Sequence, residues 1–69
     1  METVVLSVGG MTCQHCVRAV EEAVRRIGGV ALVRVDLASG RVEIEGDGLD
    51  TGLLLAAVRE EGYEAVIAA

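Results

Sequence analysis

Residues 30–45 read VALVRVDLASGRVEIE. The run alternates, turns and alternates again. In residues 30–37, Val33, Val35 and Leu37 fall on the inward side of an extended chain, with Arg34 and Asp36 outward. Ser39-Gly40 is a hairpin turn signal. Residues 41–45 then place Val42 and Ile44 inward with charged residues between them. Strands of this kind build a sheet with one wet face and one covered face, so the cover must come from the flanking segments.

Upstream, Gln14 to Ile27 carries apolar residues at Val17, Val20, Val24 and Ile27, one stripe of an amphipathic helix. The other side holds Arg18, Glu21, Glu22, Arg25 and Arg26, with Glu21–Arg25 and Glu22–Arg26 in the favourable i, i+4 order. Gly28-Gly29 ends this helix, one glycine suiting the left-handed C-terminal position. Before it, residues 3–8, TVVLSV, read as a strand with Val4, Leu6 and Val8 on one face, broken by Gly9-Gly10. Downstream, Gly46-Asp47-Gly48 reads as a loop, and Asp50 as the N-cap of a second helix to about Glu61. That helix buries Leu54, Ala57 and Val58 and is stopped by Gly62; residues 63–68 form a short last strand. The order is βαββαβ, two βαβ halves. Right-handed crossovers then give an α+β, ferredoxin-like sandwich, a four-stranded antiparallel sheet with both helices on one face. Residues 1–69 are expected to form this single domain.

Burial must hold it together. A 69-residue chain gains only ~3–5 kcal/mol from its core. Its two cysteines, Cys13 and Cys16, are too close for a disulfide to constrain much of the chain. A structural zinc site wants four protein ligands, and the only other strong candidate is His15. The composition is 52% hydrophobic with no Trp, Phe or Pro and one Tyr, so the core is aliphatic. No apolar run approaches the ~20 residues of a membrane span. METVVLSVGG lacks the marks of a signal peptide. These features point to the cytoplasm, with reduced cysteines and no membrane partner.

The net charge of −5 argues against nucleic acid as a partner. An RNA-binding module of the same topology would also need stacking aromatics and a basic surface. The charge is uneven: residues 1–35 hold four Arg against three acids, and residues 36–69 two against eight. Solvated surface accounts for this; the alternative is an acidic face that orients the protein on a partner.

The chemistry lies in Gly10-Met11-Thr12-Cys13-Gln14-His15-Cys16, which joins the first strand to the first helix. Cys16 is expected in the first helical turn, with Cys13 just before it. Free N–H groups and the positive helix end there favour thiolates. Two thiolates converging across such a junction suit soft ions such as Cu(I) or zinc. Zinc wants two further ligands, whereas Cu(I) accepts two and stays open to a third thiolate. A dithiol redox pair is a rival, although the common thioredoxin-like version needs a cis-proline and this chain has no proline. Half of a zinc site shared between chains is another. Haem attachment requires His directly after the second Cys, where Val17 stands.

GMTCQHC, the Val17/Val20/Val24 stripe, Gly29-Val30, VDLASGRVEIE and Glu61-Gly62-Tyr63 together resemble the heavy-metal-associated domain family. The resemblance is greatest to its bacterial copper chaperones and runs from Leu6 to Ala65. It implies a ferredoxin-like fold, as the pattern does. It further implies that Cys13 and Cys16 are the Cu(I) ligands, with zinc, cadmium and mercury as in vitro alternatives. Gly10, Met11, Thr12, His15 and Tyr63 would support the metal loop. Met11 matches a packed anchor of the loop, and Thr12 a residue common in copper-type members, where zinc- and cadmium-type members often carry Asp. Tyr63 matches an aromatic residue near the metal that shields the site and donates toward a sulfur; its plainer role is filling a packing gap. His15 is variable in the family and is expected to be exposed and not a ligand in the monomer. Gly9 stands where relatives more often have a polar residue, which would loosen the loop. The chain has no lysine, so it lacks the basic face that some eukaryotic chaperones offer.

The resemblance implies a cytoplasmic Cu(I) chaperone, not an enzyme. It would hand copper by ligand exchange to the metal-binding domain of a copper-transporting P-type ATPase, with a copper-responsive repressor as a second partner. The metal-free protein is expected to be a monomer, and a metal-bridged dimer through the Cys13/His15 region stays open. The alternatives are a domain of a heavy-metal transporter, a mercury- or zinc-binding relative, and the redox carrier. Met1 and a fold that is complete by Ala69 favour a freestanding protein; a domain cut from a transporter would read the same.

Overall fold

In the computed structural model, which describes residues 1–68, the two alternating runs pair as a hairpin. Ala69, the last residue of the expected domain, lies outside the described residues. The elements are β1 (Glu2–Gly9), α1 (Gln14–Arg25), β2 (Val30–Asp36), β3 (Arg41–Gly46), α2 (Thr51–Glu60) and β4 (Glu64–Ile67). The strands form one antiparallel sheet in the order β2-β3-β1-β4. The βαββαβ order and the ferredoxin-like sheet are thus as expected.

Register sets the core. Ile44 on β3 lies opposite Val4 on β1 and Val33 on β2, and Val42 lies opposite Leu6 and Val35. Residues directly opposite share a face, so these side chains meet Val20 and Val24 of α1 and Leu54 and Val58 of α2 in one aliphatic cluster. Burial of this apolar area is the main stabilising term. Asp50 caps α2 as expected, its Oδ1 accepting from Gly52 N–H at 2.9 Å and Leu53 N–H at 3.3 Å. Ala57 is only half-buried. No helix among the described residues is long and apolar enough to cross a membrane.

Several boundaries differ from the sequence pattern. α1 stops at Arg25, and Ile27 N–H then bonds Val24 O at 3.0 Å. This tighter final turn still delivers Ile27 to the core cluster. Glu21–Arg25 pairs at 3.4 Å. Arg26 lies beyond the last helical residue, and no ion pair joins it to Glu22 among the described residues. Leu37 belongs to a four-residue turn, Leu37–Gly40, between β2 and β3. Within it, Asp36 Oδ1 accepts from Ala38 N–H and Asp36 O from Gly40 N–H, at 3.0 and 2.9 Å. Gly40 has φ 72°, and a Cβ there would meet Val8 O at 2.4 Å, so only glycine fits this approach. Its carbonyl accepts from Val8 N–H at 2.8 Å, bracing the end of β1. Gly46 is the last residue of β3 and not part of the following loop, and Tyr63 and Ala68 lie outside β4.

The outer face holds one surprise. Val5 points away from the helices yet is 7% exposed. It lies opposite Glu43, which pairs with Arg34 and Arg41 at 3.9 and 3.7 Å, while Arg34 reaches Glu45 at 3.0 Å. Glu43 stands beside Val5 on the same face, and the aliphatic part of such a side chain can cover an apolar neighbour. The exposed ion pairs themselves contribute little.

Candidate metal centre

The loop that carries the thiols leaves the sheet at its centre. β1 has β3 on one side and β4 on the other, and its last residue, Gly9, is paired with Glu64. Gly9 is therefore the last sheet-paired residue before the loop. The chain turns at Gly10, with φ 94°, in the left-handed region that glycine tolerates best. A Cβ at Gly10 would lie 3.4 Å from Tyr63 Cδ1, so the tyrosine ring sits directly against this turn. Met11 is half-buried against the core, and Thr12 is exposed.

Cys13 is the N-cap of α1, with extended backbone at φ −158° and ψ 174°. Its carbonyl accepts from Cys16 N–H at 3.1 Å and Val17 N–H at 3.3 Å. Its side chain makes no capping bond. The backbone of Cys13 thus starts the helix while its sulfur stays free. One turn on, Cys16 is half-exposed, and both cysteines are free thiols. Their sulfurs lie 3.8 Å apart, and Thr12 Oγ1 is 3.9 Å from Cys16 Sγ. His15 is exposed. Among the described residues no group of three His, Cys, Asp or Glu side chains could share a metal ion, so this is a two-thiol arrangement.

The Cys16 thiol is lowered from 9.0 to about 6. The largest cause is the Thr12 backbone N–H, followed by the Tyr63 hydroxyl, both donating to the sulfur; partial burial works against them, and Cys13 adds backbone and side-chain bonds. Tyr63 is pushed up in turn, first by its bond to Cys16, then by burial and by negative charge at Cys16, Cys13 and Glu61. The helix start and a Tyr63 donor were the expected sources of this stabilisation; the Thr12 backbone N–H, the largest cause, was not among them. The part played by Thr12 N–H has no sequence signal, because any residue except proline carries that donor. Glu61 was overlooked, and its spacing from Tyr63 was the available clue.

The shift ties the fold to pH. The stabilisation from ionised Cys16 is complete above about 9.0, shrinks as pH falls, and is gone below about 6. In a Cys13→Ser background, iodoacetamide alkylation of Cys16 should titrate with a midpoint well below 9.0, because the Thr12 and Tyr63 donors remain. Adding Tyr63→Phe should raise that midpoint while leaving it below 9.0, because the Thr12 N–H remains. Mass spectrometry of the alkylated product checks this, and an unmoved midpoint rejects the Tyr63 bond.

Residues 5–64 match the heavy-metal-associated domain. The chain belongs to that family. Copper chaperone CopZ of Bacillus subtilis (strain 168) is 39% identical over 66 residues, spanning 93% of this chain and 96% of CopZ. Copper-transporting ATPase 1 of Rhizobium meliloti (strain 1021) is 46% identical over 56 residues, which are 80% of this chain and 7% of the ATPase. A solved structure described as CopZ metallochaperone superposes with a TM-score of 0.90 at 34% identity, covering 94% of this chain and 100% of that one. Family and fold are those that the sequence pattern implies. In this heavy-metal-associated domain the thiol pair occupies the junction of β1 and α1.

Proposed function

We propose that this protein is a cytoplasmic copper(I) chaperone that carries Cu(I) on Cys13 and Cys16. It delivers the ion to a heavy-metal-associated domain of a copper-transporting P-type ATPase. One observation carries the reading: two free sulfurs 3.8 Å apart at a helix start, with no third ligand group among the described residues. Soft thiolates select Cu(I) over hard cations, and two-coordinate copper stays open to an incoming sulfur. Zinc, cadmium and mercury are the in vitro competitors for the same sulfurs.

Transfer is ligand exchange. A target cysteine, losing its proton to solvent or to a departing sulfur, forms a Cu–S bond. One of the two original Cu–S bonds then breaks, and a second exchange completes the move. Copper keeps its oxidation state, and no covalent product is made, so the protein acts as a carrier and not as an enzyme. The match over 96% of CopZ supports a chaperone. The match to an ATPase segment supports a partner built on the same module, and equally a second reading in which this chain is such a segment. A copper-responsive repressor would receive copper by the same exchange. The metal-free chain is read as a monomer, with Cys13 and His15 both exposed where copper would bridge a dimer.

The test mixes the Cu(I)-loaded protein with an isolated metal-binding domain of a copper-transporting ATPase, beside a chromogenic Cu(I) chelator. Copper should reach the domain faster than it reaches the chelator when the domain is absent. Equal rates would mean that copper passes through solution, and the chaperone reading falls.

A further inference from the structure

The Tyr63 ring reaches the thiol loop at Gly10 from the far end of the chain, across the turn that follows α2. That turn has two internal bonds, Glu61 N–H to Val58 O at 3.1 Å and Gly62 N–H to Arg59 O at 3.0 Å. Both close before Tyr63. The far side is held by Arg59, whose Nη2 donates to Ala65 O at 2.8 Å, partly screened from water. The register explains why this carbonyl is available. Ala68 N–H donates to Val5 O, and Ser7 lies opposite Val66 and Gly9 opposite Glu64. Hydrogen-bonded pairs alternate along an antiparallel ladder, so the Ala65 carbonyl faces the free edge of β4. The Ala65 side chain is buried, and the residue lies opposite Val8, two residues before Gly10. Arg59 thus closes residues 59–65 into a loop whose single aromatic ring lies against Gly10, at the start of the thiol loop.

We propose that Arg59 is a positioning residue for the thiol pair: by tying α2 to the free edge of β4, its guanidinium sets the turn that holds Tyr63 against Gly10 of the thiol loop. Arg59 touches neither sulfur and acts only through Tyr63. Its effect on copper rests on the proposed function; its effect on Tyr63 does not. Donors are essential to the role, since the aliphatic stem alone cannot bond a carbonyl.

The experiment uses the full chain, reduced and metal-free, with Arg59→Met keeping the stem and Arg59→Lys keeping a donor. Proton NOEs from the Tyr63 ring to Gly10 Hα and Cys16 Hβ should be present in the parent. They should be lost in Arg59→Met and retained in Arg59→Lys, while the shifts of Val4, Ile44 and Leu54 stay in place. Parent-like NOEs in Arg59→Met overturn the proposal. So does their loss together with displaced core shifts in both variants, which marks Arg59 as a general staple. Copper is read separately. Release of Cu(I) to a chelator should quicken about fivefold in both Arg59→Met and Tyr63→Phe, the worth of one hydrogen bond. The double variant should release no faster than either single one. Lost NOEs with unchanged release in both single variants would uphold the positioning role and reject the part of Tyr63 in holding copper.

Discussion

Serine at both Cys13 and Cys16 is expected to abolish Cu(I) binding while leaving the fold intact. A serine hydroxyl is a hard donor that stays protonated at neutral pH, so it cannot replace a thiolate. No His, Cys, Asp or Glu group among the described residues offers a substitute site. Losing a partner outside the ligand shell typically costs about 10–100-fold in metal affinity; losing both ligands must exceed that. The fold loses no core packing with these sulfurs, since Cys13 is exposed, Cys16 half-exposed and neither is disulfide-bonded; what goes is the pH-dependent contribution of ionised Cys16. Competition against a chromogenic Cu(I) chelator measures the affinity, and thermal unfolding the fold. A double variant that holds Cu(I) as tightly as the parent ends the proposed function. A variant that fails to fold instead shows that the thiols are structural.

The largest stability effect is expected at Ile44. It is fully buried at the centre of the sheet, between Val4 and Val33. Ile→Ala at such a site costs about 2–5 kcal/mol through lost transfer energy and the cavity left behind. A domain of this size has only ~3–5 kcal/mol to lose. Ile44→Ala should therefore be largely unfolded at 25 °C, whereas Ile44→Val, at about 0.5–1.5 kcal/mol, should stay folded. Urea titration followed by far-UV circular dichroism separates the two. A parent-like midpoint for Ile44→Ala would show that the sheet centre can collapse around the gap. Unfolding should also return Cys16 to its ordinary titration, because Thr12 N–H and Tyr63 reach the sulfur only in the folded loop.

These positions show what a linear pattern can reveal. Val42 and Ile44 alternate with charges, and period two forces them onto the covered face. Asp50 before an apolar stripe marked a helix start, and its carboxylate makes the two bonds that such a cap requires. Local chemistry decides both cases. Val5 was illegible because alternation puts it on the outer face, where its low exposure depends on neighbours from other strands, Glu43 opposite it among them. The end of α1 was misplaced because Ile27 continues the apolar stripe, although the last turn tightens before it. At the candidate site, spacing disclosed two thiols at a helix start. It could not disclose the direction of the Thr12 N–H, which the turn at Gly10 sets, nor the approach of Tyr63 through the α2–β4 turn.

The place of Tyr63 against the thiol loop has an optical consequence. Tyr63 is the only aromatic residue in the chain, which has no tryptophan or phenylalanine. Apart from sulfur-to-metal transitions, the protein is transparent in the near ultraviolet except at a ring that lies against the thiol loop. The absorption and emission of this chain therefore form a built-in gauge of a single locus. Each change in that signal reports on the immediate surroundings of Tyr63 at the start of the thiol loop, with no label attached and no distant chromophore to subtract.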